Sequence, residues 1–355
     1  MTTTPQPVRV LVAGLGNMGF YHALAYHNEP GFEIVGLVSR SGKPAPEPLG
    51  AYPHFTDFHE ALADTKPDLA SINTYTDTHA DYAVAAMEAG AHVFLEKPIA
   101  ATAEDARRVV DTARRLKRKL VIGYILRHHP SWIDFIRKAR ELGPPYVMRL
   151  NLNQQSAGAH WETHKRLMET TSPIVDCGVH YVDVMCQITD AKPVQVRGMG
   201  VRLTDEIAAT QVNYGHLQVI FDDGSLGWYE AGWGPMMSET AFFVKDVISP
   251  NGAVSIVVEE GAKSSDHDTH TKTSRIRTHF AARNADGSYA REDAWHSTED
   301  EPGHAELCAR EQAFMLKAIR EDLDLSKHNE DAVRSLEIVL ASEISAREMR
   351  AVDLE

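Results

Sequence analysis

Basic residues are in deficit. Against 50 Asp and Glu the chain has 36 Lys and Arg, a net charge of -14 over 355 residues. That is the wrong sign for a protein whose main partner is a phosphate backbone or an anionic membrane, so neither nucleic acid nor a membrane is expected as a partner. Cysteine is scarce. Cys177, Cys186 and Cys308 form neither a C-x-x-C pair nor a disulfide-rich spacing, which points to a reducing compartment. No apolar run reaches membrane-spanning length, and the opening Met-Thr-Thr-Thr-Pro-Gln-Pro has no basic n-region, so the expected location is cytoplasmic. What is present, 43% apolar and 24% charged residues, is the composition of an ordinary globular protein long enough for two domains. There is no internal repeat.

Short apolar runs alternate with helix-period stretches as far as about Pro130. The runs are Val8 to Ala13, Phe32 to Val38, Leu69 to Asn73, His92 to Leu95 and Leu120 to Ile125. Between them lie segments such as Thr78 to Ala89 and Thr102 to Lys119, the pattern of a parallel sheet covered by helices. From Tyr146 onward alternating strands dominate: Tyr146 to Asn153, Val194 to Arg202, His216 to Phe221, Ser225 to Glu230 and Ala241 to Val247. With turn signals at Asp222-Asp223-Gly224 and Pro250-Asn251-Gly252, this half is expected to be an open, mainly antiparallel sheet. One helix is expected over 175 to 189, and two more over Gly303 to Arg320 and Asp331 to Arg350. Lys263 to Thr298 reads as loops and weak strands. The expected division is an α/β domain over 1–130, an α+β domain over 131–330, and a closing helix, 331–355, packed back on the first.

Gly14-Leu15-Gly16-Asn17-Met18-Gly19 follows the first apolar run and opens a helix, the context that the G-x-G-x-x-G dinucleotide fingerprint requires. The expectation is a doubly wound Rossmann sheet whose helix N-terminus carries a pyrophosphate. At the end of the second strand, where a carboxylate would bind the adenosine ribose of NAD, stand Ser39, Arg40 and Ser41, followed by Lys43. A guanidinium and two hydroxyls without a carboxylate favour NADP over NAD. Alternatively Arg40 is a solvated loop residue or stacks on adenine.

Four features in order carry a resemblance: the glycine turn running on to His22, Asn73-Thr74-Tyr75-Thr76-Asp77-Thr78-His79, Glu96-Lys97-Pro98, and Asp176-Cys177-Gly178-Val179-His180-Tyr181-Val182-Asp183. In these the chain resembles the glucose-fructose oxidoreductase, inositol dehydrogenase and MocA family (Gfo/Idh/MocA) of nicotinamide-dependent enzymes. It departs from the family pattern at Tyr75-Thr76, where Pro-Asn is frequent, and at Ser172-Pro173, where paired glycines are common. The resemblance implies cofactor contacts at Gly14, Gly16, Asn17, Met18, Gly19, Thr74, Tyr75, His79, Glu96 and Lys97. It also implies a homo-oligomer, a dimer or tetramer, built on the sheet of residues 146 to 260.

Asp176, His180 and Asp183 share one face of a helix, a costly stripe to bury unless it lines a polar site. His180 is suited to accept a hydroxyl proton near neutral pH, and the Lys97 ammonium to donate to the same oxygen, with Asp176 orienting them. The alternative is a helix cap, a satisfied core histidine and a surface ion pair. Tyr124 and Arg127 end the fifth strand, where they could touch substrate or nicotinamide, or Arg127 could pair with a carboxylate. His160 and Trp161, in an expected polar loop, suit a sugar surface. His267 and His270 form a weak metal-ligand spacing better read as an exposed loop, so no metal is expected. Trp228 to Met237 reads chiefly as sheet packing and oligomer contact. Three functions stand: a dehydrogenase or reductase of a sugar, inositol or other polyol; a glycoside hydrolase working through transient ring oxidation; and a non-catalytic nucleotide sensor, which would have no need of Lys97, Asp176 and His180 together. His128 is, with Tyr124 and His160, a substitute base should His180 be structural.

Overall fold

The computed structural model describes residues 6–42, 45–239, 243–258, 261, 263–264, 271, 273–298 and 301–354. They form two compact units, Met1–Ile125 with Pro302–Val333, and Leu126–Glu301 with Arg334–Glu355.

The first unit alternates strand and helix: β1 (Val8–Ala13), α1 (Asn17–Asn28), β2 (Phe32–Val38), β3 (His54–Phe55), α2 (Phe58–Thr65), β4 (Leu69–Ile72), α3 (Thr76–Glu88), β5 (His92–Leu95), α4 (Ala103–Leu116) and β6 (Leu120–Ile122). All pair in parallel, in the order β3-β2-β1-β4-β5-β6. A strand covered on both faces must be apolar throughout, and β4 and β6 are buried at every position. Helix starts follow the side chains that can cap them: Asp57 accepts from the Glu60 N–H at 2.8 Å, and Thr102 from the Asp105 N–H at 3.1 Å. The strand order reverses between β1 and β4, and the glycine turn leaves β1 at that switch point, where open α/β sheets bind ligands. The short β3 was not legible as a strand because two residues carry no period.

The second unit contains α5 (Pro130–Leu142), β7 (Val147–Gln155), α6 (Gly158–Leu167), α7 (Pro173–Asp176), α8 (Gly178–Ile188), β8 (Pro193–Val201), β9 (Tyr214–Phe221), β10 (Leu226–Gly234), β11 (Lys245–Ser249), β12 (Gly252–Val257), β13 (Arg275–Phe280) and β14 (Ala294–Ser297). With β15 (Val352–Asp353) they form one mixed sheet in the order β14-β13-β12-β11-β7-β10-β9-β8-β15. Only the central pair β7 and β10 is parallel. The expected antiparallel character holds for every other pair.

Three expectations change here. The stretch from His160 to Lys165 is not a loop but part of α6. The single helix expected over 175 to 189 is two, α7 and α8, joined at Cys177. Ser172 caps α7, accepting from the Val175 N–H at 3.2 Å, and Pro173 takes the first helical position, which explains a Ser-Pro pair at this point. Residues 331–355 do not go as one piece to the first unit. Helix α9 (His304–Arg320) belongs to the first unit, whereas α10 (Ser326–Glu348) belongs to it only as far as Val333. Beyond that the chain joins the second unit, where the Ser345 hydroxyl accepts from the Gly198 N–H at 2.9 Å and β15 pairs with β8. His267, His270 and Lys43 lie outside the described residues. No helix among the described residues is long and apolar enough to cross a membrane.

Candidate active site

In the first unit the three glycines of the turn do different work. Gly14 has φ +86°, and a Cβ there would stand 2.4 Å from the Asn73 carbonyl oxygen, while one on Gly19 would stand 1.9 Å from the Gly14 oxygen. These two close the turn onto its neighbours. At Gly16 there is no heavy atom within 4 Å of the Cβ position. The space at Gly16 adjoins the first turn of α1, whose leading N–H groups cannot bond within the helix, the type of position that can receive an anion. Asn17 is exposed beside it, and Met18 is half-buried with its sulfur 3.1 Å from His304 Nε2. At the end of β2 the Ser39 and Ser41 hydroxyls lie 3.0 Å apart and Arg40 is exposed.

The neighbouring loops are tied to one another. Tyr75 is exposed at the start of α3, and the Thr74 hydroxyl lies 2.7 Å from that of Thr78. His79 is fully buried, with Nδ1 2.7 Å from the Pro98 carbonyl oxygen and Nε2 3.0 Å from that of Thr74. Burial lowers its pKa while the two carbonyls oppose that shift, and the ring ties together the loops after β4 and β5. Glu96 is likewise occupied: one carboxylate oxygen lies 2.8 Å from His22 Nε2, and the other accepts from the Lys97 N–H at 3.0 Å. The ring of His79 and the carboxylate of Glu96, expected to touch a cofactor, thus shape the loops that would hold one. The Lys97 side chain is half-buried. Tyr124 is buried, edge-on to His328 with ring centroids 6.3 Å apart.

In the second unit the polar stripe divides. Asp183, 1% exposed, accepts two bonds from Arg127, at 2.8 and 2.5 Å, and a third from Gln187 at 2.9 Å. Arg127 is therefore the ion-pair partner, the second of the two readings its position allowed. The other two members stand at the joint between the helices. Asp176 ends α7, with an oxygen 3.6 Å from the Cys177 sulfur, and His180 lies in the first turn of α8. His128 is held down to about 4 by burial and by Arg127, so it is neutral at physiological pH.

On α6, Trp161 donates to Glu206 at 3.1 Å, and the His164 ring stacks on Trp233 with centroids 4.4 Å apart. His160 is half-buried against His164. Trp233 and Tyr229 are buried, so the aromatic end of β10 packs the sheet as expected. One group had no warning in the sequence: Lys245 on β11 is fully buried over the faces of Tyr181 and Phe243 and donates to the Asn151 carbonyl. A lysine in an alternating strand gives no sign of whether it faces in or out.

Residues 8–124 match the model of the oxidoreductase family with an NAD-binding Rossmann fold, and residues 135–244 match the Gfo/Idh/MocA C-terminal domain. The chain belongs to the Gfo/Idh/MocA oxidoreductase family. Over 234 residues it is 29% identical to scyllo-inositol 2-dehydrogenase (NAD(+)) of Bacillus subtilis, covering 63% of this chain and 67% of that one. Over 192 residues it is 30% identical to D-glucoside 3-dehydrogenase of Escherichia coli, covering 51% of this chain and 53% of that one. The chain thus spans about two-thirds of the first relative and half of the second. In fold it is similar to myo-inositol 2-dehydrogenase from Lactobacillus plantarum, with a TM-score of 0.77 at 19% identity over 99% of this chain and 100% of that one.

Proposed function

We propose that the protein is an NADP- or NAD-dependent dehydrogenase or reductase acting on a secondary hydroxyl or ketone of a sugar, inositol or related polyol. The observation that carries this reading is the open cradle over Gly16 at the switch point of a parallel sheet, in a chain that keeps Lys97, Asp176 and His180. The relatives named above act on inositol and on a glucoside, which supports the substrate class.

A bound nicotinamide supplies the hydride chemistry. The pyrophosphate is held by the N–H groups around Gly14, Gly16 and Gly19, and the adenosine ribose by Ser39, Arg40 and Ser41. His180 takes the proton of the reacting hydroxyl, Lys97 donates to its oxygen, and Asp176 orients the pair. His160 and Trp161 contact the sugar.

A panel of polyols, aldoses and aryl glycosides assayed with each cofactor, followed by nicotinamide absorbance and by product release, tests the reading. Stoichiometric reduction of cofactor by a polyol or sugar is the expected result. His180→Ala and Lys97→Ala are expected to lower kcat by about 10² to 10⁴ with cofactor affinity retained. Release of aglycone without net cofactor reduction would instead assign a redox-assisted glycosidase. Absence of dinucleotide binding would overturn both.

A further inference from the structure

The Glu96 carboxylate belongs to a buried chain of hydrogen bonds that starts on α9, beyond both segments matched by the family models. The Tyr26 hydroxyl donates to Gln312 Oε1 at 2.5 Å, while Ser71 is hydrogen-bonded to the tyrosine oxygen. With its oxygen engaged as acceptor, the Gln312 amide presents its N–H to His22 Nδ1, at 2.9 Å. Nδ1 must then accept, so the ring proton is on Nε2, which lies 2.8 Å from Glu96 Oε1. The other Glu96 oxygen takes the Lys97 N–H at 3.0 Å. The Glu96 carboxylate can only accept, so Nε2 carries the proton, Nδ1 accepts from Gln312, and the direction runs back through the amide to Tyr26.

The surroundings leave Glu96 as the anion of this pocket. Burial would raise its carboxyl, but the hydrogen bond from His22 and the charge and backbone N–H of Lys97 outweigh that and hold it low. Glu311 on α9 is 1% exposed, and neither of its carboxyl oxygens has a hydrogen-bond partner among the described residues. Burial and the charge of Glu96 push this carboxyl well up, so it is a neutral acid. The Cys308 thiol is pushed up by burial and by Glu311 and Glu96. His79 also faces Glu96 electrostatically, its pKa lowered by burial against the pull of Glu96 and of the Pro98 and Thr74 carbonyls. His22, Cys308 and Glu311 offer ligand atoms within 4.8 Å of one another, but a metal there would need a thiolate, a second carboxylate and the ring nitrogen that Gln312 holds.

We infer that Tyr26 and Gln312 are positioning residues for Lys97: they hold His22 as an Nε2–H donor, and His22 thereby clamps the carboxylate that holds the Lys97 backbone. Gly123 on the strand end after β6 closes the clamp from below. A Cβ there would stand 3.2 Å from the Glu96 carboxyl carbon, so the carboxylate would have to shift by a few tenths of an ångström.

The inference rests on the proposed role of Lys97, and its first test does not need turnover. Long-range proton–nitrogen NMR of histidine-labelled protein, with NADP bound, reads the tautomer of His22 assigned by comparison with His22→Gln. The expected result is a proton on Nε2 and none on Nδ1. Gln312→Leu removes the donor to Nδ1 and should shift that nitrogen's resonance while Glu96 keeps the proton on Nε2, and Tyr26→Phe should shift it in part. With a substrate found in the panel, Gln312→Leu and Gly123→Ala are expected to lower kcat by about tenfold to a hundredfold while KM and cofactor affinity stay close to wild type. His22→Gln, whose amide can donate to Glu96, should recover more kcat than His22→Ala. Glu96→Gln should move the alkaline limb of kcat to lower pH, because a negative charge that favours the Lys97 ammonium is gone.

A wild-type His22 protonated on Nδ1, or a Gln312→Leu protein whose His22 Nδ1 resonance is unchanged, would overturn the inference whether or not the enzyme turns over. So would one equivalent of tightly bound zinc lost in Cys308→Ser. If instead the tautomer is as expected and Lys97→Ala retains full kcat, it is the functional reading of Lys97 that fails.

Discussion

Arg127 grips Asp183 with two donors, at 2.8 and 2.5 Å, and the carboxylate is 1% exposed. This geometry gives both residues a structural role, whatever else Arg127 touches. Removing one partner leaves the other charge buried without its counterion, which typically costs about 3 to 5 kcal/mol. Asp183→Ala is therefore expected to lower stability by that amount in urea unfolding. A loss below about 1 kcal/mol, the range of an exposed pair, would return Arg127 to the candidate substrate ligands.

The glycine turn separates folding from binding. Gly19→Ala drives a Cβ to 1.9 Å from a backbone oxygen and should depress Tm, whereas Gly16→Ala enters open space and should leave Tm unchanged. If that space is the phosphate cradle, calorimetry of Gly16→Ala will show dinucleotide binding weakened by about 10-fold or more. Unchanged affinity would place the cofactor elsewhere.

On the proposed reading, Arg40 decides the cofactor. NADP is expected to bind more tightly than NAD, and Arg40→Ala to lose about 10- to 100-fold in NADP affinity with NAD affinity retained, the range for a hydrogen bond to a charged phosphate. A preference for NAD undiminished by the substitution would remove the phosphate assignment and leave the rest of the site intact.

Lys245 gives stability a pH dependence of known sign. Burial brings its ammonium down to about 7, against about 10.4 in an unfolded chain. Between those values the unfolded chain holds the extra proton, so the contribution is fully present above the unfolded value and is lost as pH falls through about 7. Between about pH 7.5 and about pH 9.5 the wild type should gain about 2 kcal/mol of stability relative to Lys245→Met. Parallel pH profiles of the two proteins would show that the lysine finds a counterion in solution.

One face of the large sheet is expected to join subunits. Ile248, Val147, Leu226 and Ile220 stand opposite one another on four adjacent strands, and the first, second and fourth are each more than a third exposed. An exposed apolar row of that length is the kind of surface on which subunits associate. Light scattering at micromolar concentration should report a dimer or tetramer, and Ile220→Lys should shift it toward monomer. A monomeric wild type would refute the assignment.

Local order in the chain was enough for the first unit. β1, β2 and β5 begin and end where the apolar runs do, because a strand covered on both faces is largely apolar and polar or glycine residues follow it at Gly14, Ser39 and Glu96. The glycine turn and Glu96-Lys97-Pro98 were legible for the same reason, each a local pattern of residue types with a local backbone demand, whereas the break at Cys177 that puts Asp176 and His180 on separate helices was not. What local pattern could not decide was pairing. Whether Arg127 faced a ligand or a carboxylate, whether Glu96 met a cofactor or His22, and whether Lys245 pointed inward depended on residues far away in sequence. Asp183 is 56 positions from Arg127, and Gln312 is 290 from His22. A hydrogen bond has a direction only once both ends are in place, so the tautomer of His22 became readable only after packing had brought α9 against α1.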